Sequence, residues 1–203
     1  MKRLIMEFLG TFFLTFIVSF SSFTGNAIPV GLILMAMVYV GYHISGAHYN
    51  PALSLAVFLR NKLKMEDLGM YMAAQLLGAL LAIWTFGYVT ESLFSPENVS
   101  EASLFIPLGM EALLTFVFCL TALSVSMLDR YKTHPSQGTV IGLTLMAIAF
   151  IGGIFNPAIA AAALFWNMMQ GGTFVGLMPV LVHIVGPFAG GAASAFMYTY
   201  LND

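Results

Sequence analysis

Ser45-Gly46-Ala47-His48-Tyr49-Asn50-Pro51-Ala52 is an irregular stretch that ends by starting a helix. Asn is a favoured N-cap, and Pro suits the first helical position because its missing N–H is unpaired there anyway. The triplet returns as Asn156-Pro157-Ala158, preceded by Gly153-Ile154-Phe155. The apolar pieces that follow, 50–59 and 156–168, are too short to cross a bilayer, which takes about 20 residues. Both are therefore predicted as re-entrant half-helices that begin inside the membrane.

Longer apolar stretches surround them, at about 4–23, 28–43, 68–90, 104–128, 135–151 and 174–201. Six transmembrane spans and two half-helices account for nearly all of the 203 residues, leaving no room for a soluble domain. Composition agrees: 60% of residues are hydrophobic and 8% are charged, with a mean hydropathy of +0.91. A soluble domain carries about 25% charged residues. Glu7 interrupts the first apolar stretch and no small-residue cleavage site follows, so that stretch reads as a span and not as a secretory signal. With a cytoplasmic N-terminus, this layout puts Lys2, Arg3, Arg60, Lys62, Lys64, Arg130 and Lys132 all inside and Glu91, Glu97 and Glu101 outside. That partition follows the positive-inside rule and predicts both termini in the cytoplasm.

The chain repeats itself. Residues 30–40, VGLILMAMVYV, match 141–151, IGLTLMAIAFI, at an offset of 111, and the two triplets match at 106. Glu7 near the start of the first span pairs with Glu111 near the start of the fourth. Each half reads as span, span, half-helix, span, over about 1–95 and 104–203 of a single 1–203 domain. Three spans is an odd number, so the halves run in opposite senses, an inverted repeat whose functional site lies at the midplane. The offsets also differ by five: Val40 to Asn50 is ten steps and Ile151 to Asn156 is five. This predicts a second re-entrant loop five residues shorter than the first.

Half-helices that start at the midplane aim their positive ends, each about +0.5 charge, at the bilayer centre. The inverted repeat brings the two ends together. Ala52 and Ala158 are small enough to let them touch, and the Asn50 and Asn156 amides offer donors. The carbonyls around Gly46, His48 and Gly153 need a wet cavity. A water accepting from both amides would point its hydrogens outward, breaking a proton wire, while the dipoles disfavour cations. The expected traffic is water or small neutral solutes.

These pieces resemble the aquaporin (major intrinsic protein) family. The resemblance spans nearly the whole chain: Glu7-Phe8-Leu9-Gly10-Thr11, the Ser45–Ala52 loop, Ala74-Gln75-Leu76-Leu77-Gly78-Ala79, Glu111 to Phe116, and Val185-Gly186-Pro187-Phe188 with Gly190. It implies a homotetramer of separately conducting protomers in a lipid bilayer, with the NPA triplets at the pore centre. It also implies that Glu7 and Glu111 are structural acceptors for loop N–H groups. A proton relay, the default reading of intramembrane carboxylates, is the lesser alternative.

The chain departs from the family at the outer filter. Ile159 stands where most members carry Arg after the second triplet. Val30 and Ala149 stand where water channels tend to have an aromatic residue and His, and His183 replaces one of an aromatic pair. The expectation is a wider, more apolar mouth of relaxed selectivity, with proton and cation exclusion resting on the central dipoles. His183 either lines that mouth or bonds a neighbouring helix. His43 and His48 read as a pH gate or as satisfied loop histidines. Asn98-Val99-Ser100 fits a glycosylation acceptor.

Other classes fare worse. An ion-coupled transporter for charged substrates needs more intramembrane charge than Glu7 and Glu111. A non-conducting structural or junctional protein on the same fold remains the alternative. Nothing points to catalysis, a metal, a cofactor or nucleic acid: a net charge of -2 and a single cysteine, Cys119, offer no basic patch, disulfide framework or metal spacing.

Overall fold

The structure is a computed structural model that describes residues 1–94, 104–132, 135–170 and 177–202. The Asn98 sequon lies outside the described residues. Within them every regular element is helical. In order these are α1 (Lys2–Thr24), α2 (Ile28–Ser45), α3 (Pro51–Leu59), α4 (Met65–Thr90), α5 (Phe105–Met127), α6 (Asp129–Lys132), α7 (Gln137–Ala149), α8 (Pro157–Met169), α9 (Leu177–Val180), a π-helical turn (Leu181–Val185) and α10 (Gly186–Asn202). The last three run on as one 26-residue helix, Leu177–Asn202. That helix, α1, α2, α4 and α5 are each long and apolar enough to cross a membrane.

The chain marks its own boundaries. Gly25 at φ 67° and Gly46 at φ 87° end α1 and α2 in the left-handed conformation that glycine adopts without a Cβ penalty. Asn50 and Asn156 open α3 and α8, each side chain accepting from the backbone N–H two residues on, with Pro next in line.

The bundle is apolar outside, and polar groups lie buried within a largely apolar core. Phe13, Leu77, Phe105 and Tyr200 are exposed, while Glu7, Gln75, Glu111, Asn50, Asn156 and His183 are buried. This inverts the soluble pattern and suits lipid. α1 packs on α4, α5 on α10, and α2 on α7. Glycines permit each close approach. A Cβ on Gly78 would strike the Phe8 carbonyl, and one on Gly190 would strike that of Ala112. Gly31 and Gly142 face each other, so that a Cβ on either would come within 2.6 Å of the other's carbonyl oxygen. Equivalent helix pairs of the two halves thus meet at equivalent glycines, as an inverted repeat requires.

One expectation is corrected. The loops do not absorb the five-residue deficit. Five residues, 46–50, separate α2 from α3, and seven, 150–156, separate α7 from α8. The deficit falls on the helix instead, because α7 has 13 residues and α2 has 18. At 1.5 Å per residue, α7 is about 7.5 Å shorter than α2. The chain turns out of α7 through Phe150 and Ile151, and Gly152 (φ 101°) and Gly153 (φ 122°) let it double back to Asn156.

Candidate pore

The residue before each capping asparagine is in a costly conformation, and in the first loop Ala47 (φ 53°) is as well. Tyr49 has φ 51° and Phe155 has φ 54°, left-handed values that cost a residue with a Cβ about 1–3 kcal/mol. A buried carboxylate holds each of them. The Tyr49 N–H donates to Glu7 Oε2 at 2.7 Å, and the Phe155 N–H donates to Glu111 Oε2 at 2.8 Å. Glu7 also accepts from Ser45 Oγ, the His48 N–H and Gln75 Nε2, and Glu111 from the Ile154 N–H and His183 Nδ1. Hydrogen bonds to charged groups contribute about 1.5–3 kcal/mol each, enough to offset the backbone strain.

The strained residues then present their carbonyls to the opposite half. Asn50 Nδ2 donates to the Phe155 carbonyl at 2.8 Å, and Asn156 Nδ2 donates to the Tyr49 carbonyl at 2.9 Å. The same asparagines accept from the Ala52 and Ala158 N–H groups through Oδ1. Each asparagine therefore caps its own half-helix and ties it to the other loop. An amide NH2 has two donors, so one N–H of each is committed to this cross-link and one is left for a passing molecule. The sequence shows both amides as donors but not this bond to the opposite loop. The signal was available in the inverted repeat, which sets each Asn opposite the other's loop. Gln75, too, stood in a quoted motif, and the structure adds its role as the third-span donor to Glu7.

Two cavities flank this centre from opposite ends of the bundle. The first, about 270 Å³, brings together Val30, Ala149, Ile159 and His183 and reaches Asn50 and Asn156. Gly153 is in its wall. The second, about 670 Å³, is lined by Gly46, Arg60, Lys62 and Asn202. His48 touches both cavities and is held by a bond between its Nδ1 and Ser54 Oγ at 3.1 Å. Pro51, Ala52, Pro157 and Ala158 are buried behind the asparagines and line neither cavity. His43 is exposed and lines neither. Chemically, the arrangement is a narrow polar waist between two cavities, with half-helix N-termini aimed at it. The wall on the α7 side is apolar.

The comparisons with known proteins point the same way. The aquaporin NIP1-1 of Oryza sativa subsp. japonica is 32% identical over 99% of this chain and 74% of its own length. A glycerol uptake facilitator protein-like 6 of Lactiplantibacillus plantarum is 28% identical over 97% of the chain and 96% of its own. In fold, the X-ray structure of the aquaglyceroporin from Plasmodium falciparum superposes with a TM-score of 0.77 at 23% identity, covering 97% of this chain and 94% of that one. The family described as Major intrinsic protein matches residues 1–198. Half-helices bonded end to end inside an apolar bundle, and a match over almost every residue, make this chain an integral, multi-pass membrane protein that belongs to the major intrinsic protein family.

Proposed function

We propose that the protein is a passive channel for water and small uncharged solutes, with an apolar outer mouth formed by Val30, Ala149 and Ile159. The reciprocal Asn50 and Asn156 bonds carry this reading. They fix two half-helix N-termini at one point between two cavities, leaving donors for a neutral molecule and a positive field against cations. Most of the remaining site residues support it from behind. Pro51, Ala52, Pro157 and Ala158 shape the caps, and Glu7 and Glu111 hold the loops. Gly46, His48 and Gly153 lie along the path.

The early end of α7 takes wall away from the mouth, and Ile159 supplies neither charge nor donor there. Relaxed selectivity follows, extending to solutes larger than water. The relatives named as an aquaporin and as a glycerol uptake facilitator protein-like 6 fit that range. The orientation has both termini cytoplasmic, since the Arg60 and Lys62 end of the bundle also holds Asp129 and Asn202. The assembly is a homotetramer of separately conducting protomers.

Stopped-flow light scattering of proteoliposomes tests the reading. Under an inward glycerol or urea gradient, vesicles containing the protein should re-swell faster than empty ones. A channel that passes water rapidly and excludes both solutes would overturn the relaxed-selectivity part.

A further inference from the structure

The wall of the 270 Å³ cavity changes character along two helices at once. On α1, Leu14, Val18 and Ser22 line it at successive four-residue steps. Leu34, Val30 and then Asn26, just before α2, do the same. Residues four apart share one face of a helix, so each helix turns a single stripe to the cavity. Leu14, Leu34 and Val30 are buried, whereas Ser22 and Asn26 are exposed at the corner that joins α1 to α2. Each stripe therefore ends, at the rim, in a polar side chain beyond an apolar wall.

The fold holds Asn26 in place. The Ile28 N–H donates to Asn26 Oδ1 at 3.0 Å, and the Asn26 N–H donates to the Ser21 carbonyl at 3.1 Å. The amide oxygen is thus committed to the start of α2, and Nδ2 keeps its two donors. Neither Nδ2 nor Ser22 Oγ bonds a protein group among the described residues. Farther in, Val30, Ala149 and Ile159 provide no polar side-chain atom. Four residues of α2 rise about 6 Å, close to the length of a three-carbon polyol and well beyond that of water. A polyol can keep one hydroxyl at the rim while its other end enters the apolar wall. A water molecule must leave the rim to get there. Burying a hydroxyl without a partner is costly, so a bond kept at the rim lowers the polyol's barrier and not water's.

We propose that Asn26 Nδ2 and Ser22 Oγ form a binding point for a small polyol at the rim of the apolar mouth, holding its trailing end as the leading end passes Val30. The proposal rests on the channel reading above and names the solute class that the mouth favours. Asn26 Nδ2 donates to a hydroxyl oxygen, and Ser22 Oγ accepts a hydroxyl hydrogen. Both groups are neutral, so they discriminate by hydrogen bonding and not by charge. They are specificity-determining residues, supplied by the α1–α2 corner to a mouth where Ile159 supplies no donor.

Ser22→Ala and Asn26→Ala test this by stopped-flow light scattering. The glycerol-to-water permeability ratio should fall about two- to ten-fold in each, the worth of one neutral hydrogen bond, with water permeability nearly unchanged. Asn26→Ala also gives up the bond from the Ile28 N–H; Ser22→Ala breaks no bond of the fold and keeps the test decisive if the other variant unfolds. An unchanged ratio in Ser22→Ala would overturn the proposal, and so would an equal loss of both fluxes, which marks a structural role. Absence of any flux in the wild type would overturn the channel reading and this proposal together. An independent check needs no variant for its readout: the side-chain amide resonances of Asn26 in the wild-type protein should shift on addition of glycerol. Resonances indifferent to glycerol would count against binding there.

Discussion

The side chains of Asn50 and Asn156 each do two jobs that pull on different atoms, and single-atom substitutions separate them. Asn156→Asp keeps an acceptor for the Ala158 N–H but sets a carboxylate oxygen against the Tyr49 carbonyl, where a donor stood at 2.9 Å. It also places a negative charge beside two positive helix ends. Water flux should fall and cation leak should rise, measured by light scattering and by a cation-sensitive dye in the same vesicles; unchanged values in a well-folded variant would count against a pore at this point. Glu111→Gln turns one acceptor oxygen into a donor that faces an N–H or the His183 ring, while Phe155 keeps its strained φ. A loss of about 1–3 kcal/mol is expected in detergent unfolding. At this scale the two triplets and the two carboxylates were legible because their residue types are rare in apolar sequence. The cross-links between halves were not, since they join residues about a hundred positions apart, and neither was the donation from His183, which hangs on a π-helical turn that no composition rule signals.

Helix pairing rests on backbone contact at glycine, which makes glycine substitutions sharply position-dependent. Gly78→Ala would drive a Cβ into the Phe8 carbonyl, so α1 and α4 must separate. Overpacking of this kind costs about 1–3 kcal/mol. Gly69→Ala on the same helix meets nothing within 4 Å and should instead stabilise by about 0.5–1 kcal/mol, the usual helical preference for Ala. Thermal unfolding of the two variants should move in opposite directions. The early end of α7 matters in the same way. Ile159→Arg adds bulk and donors to the mouth that α7 leaves open, so it should reduce glycerol flux and leave water passage at least partly intact. The number five was readable from the repeat offsets, but not where it falls. Spacing counts residues between landmarks, whereas the division between helix and loop depends on Gly152 and Gly153 turning the chain back towards Asn156.

Across the whole molecule, the architecture was largely legible. The apolar stretches, the short triplet-led pieces and the repeat together leave few alternatives to an inverted bundle. Span lengths were less so: 135–151 reads as one largely apolar stretch, yet helix forms only over Gln137–Ala149, because hydropathy does not distinguish helix from the apolar turn that follows. Orientation makes its own prediction. In a Cys119→Ala background, a membrane-impermeant thiol reagent on intact cells should label cysteine placed at Ser95 but not at Thr133, two positions outside the described residues. Labelling at Thr133 alone would reverse the topology. On the proposed function, neutral molecules pass where the half-helices meet while charge does not. The most direct test of this is to record water permeability and proton flux on one preparation of wild-type proteoliposomes. Water permeability should stand well above that of empty vesicles, with proton flux at their background. Water permeability at background, or protons that follow the water, would contradict it.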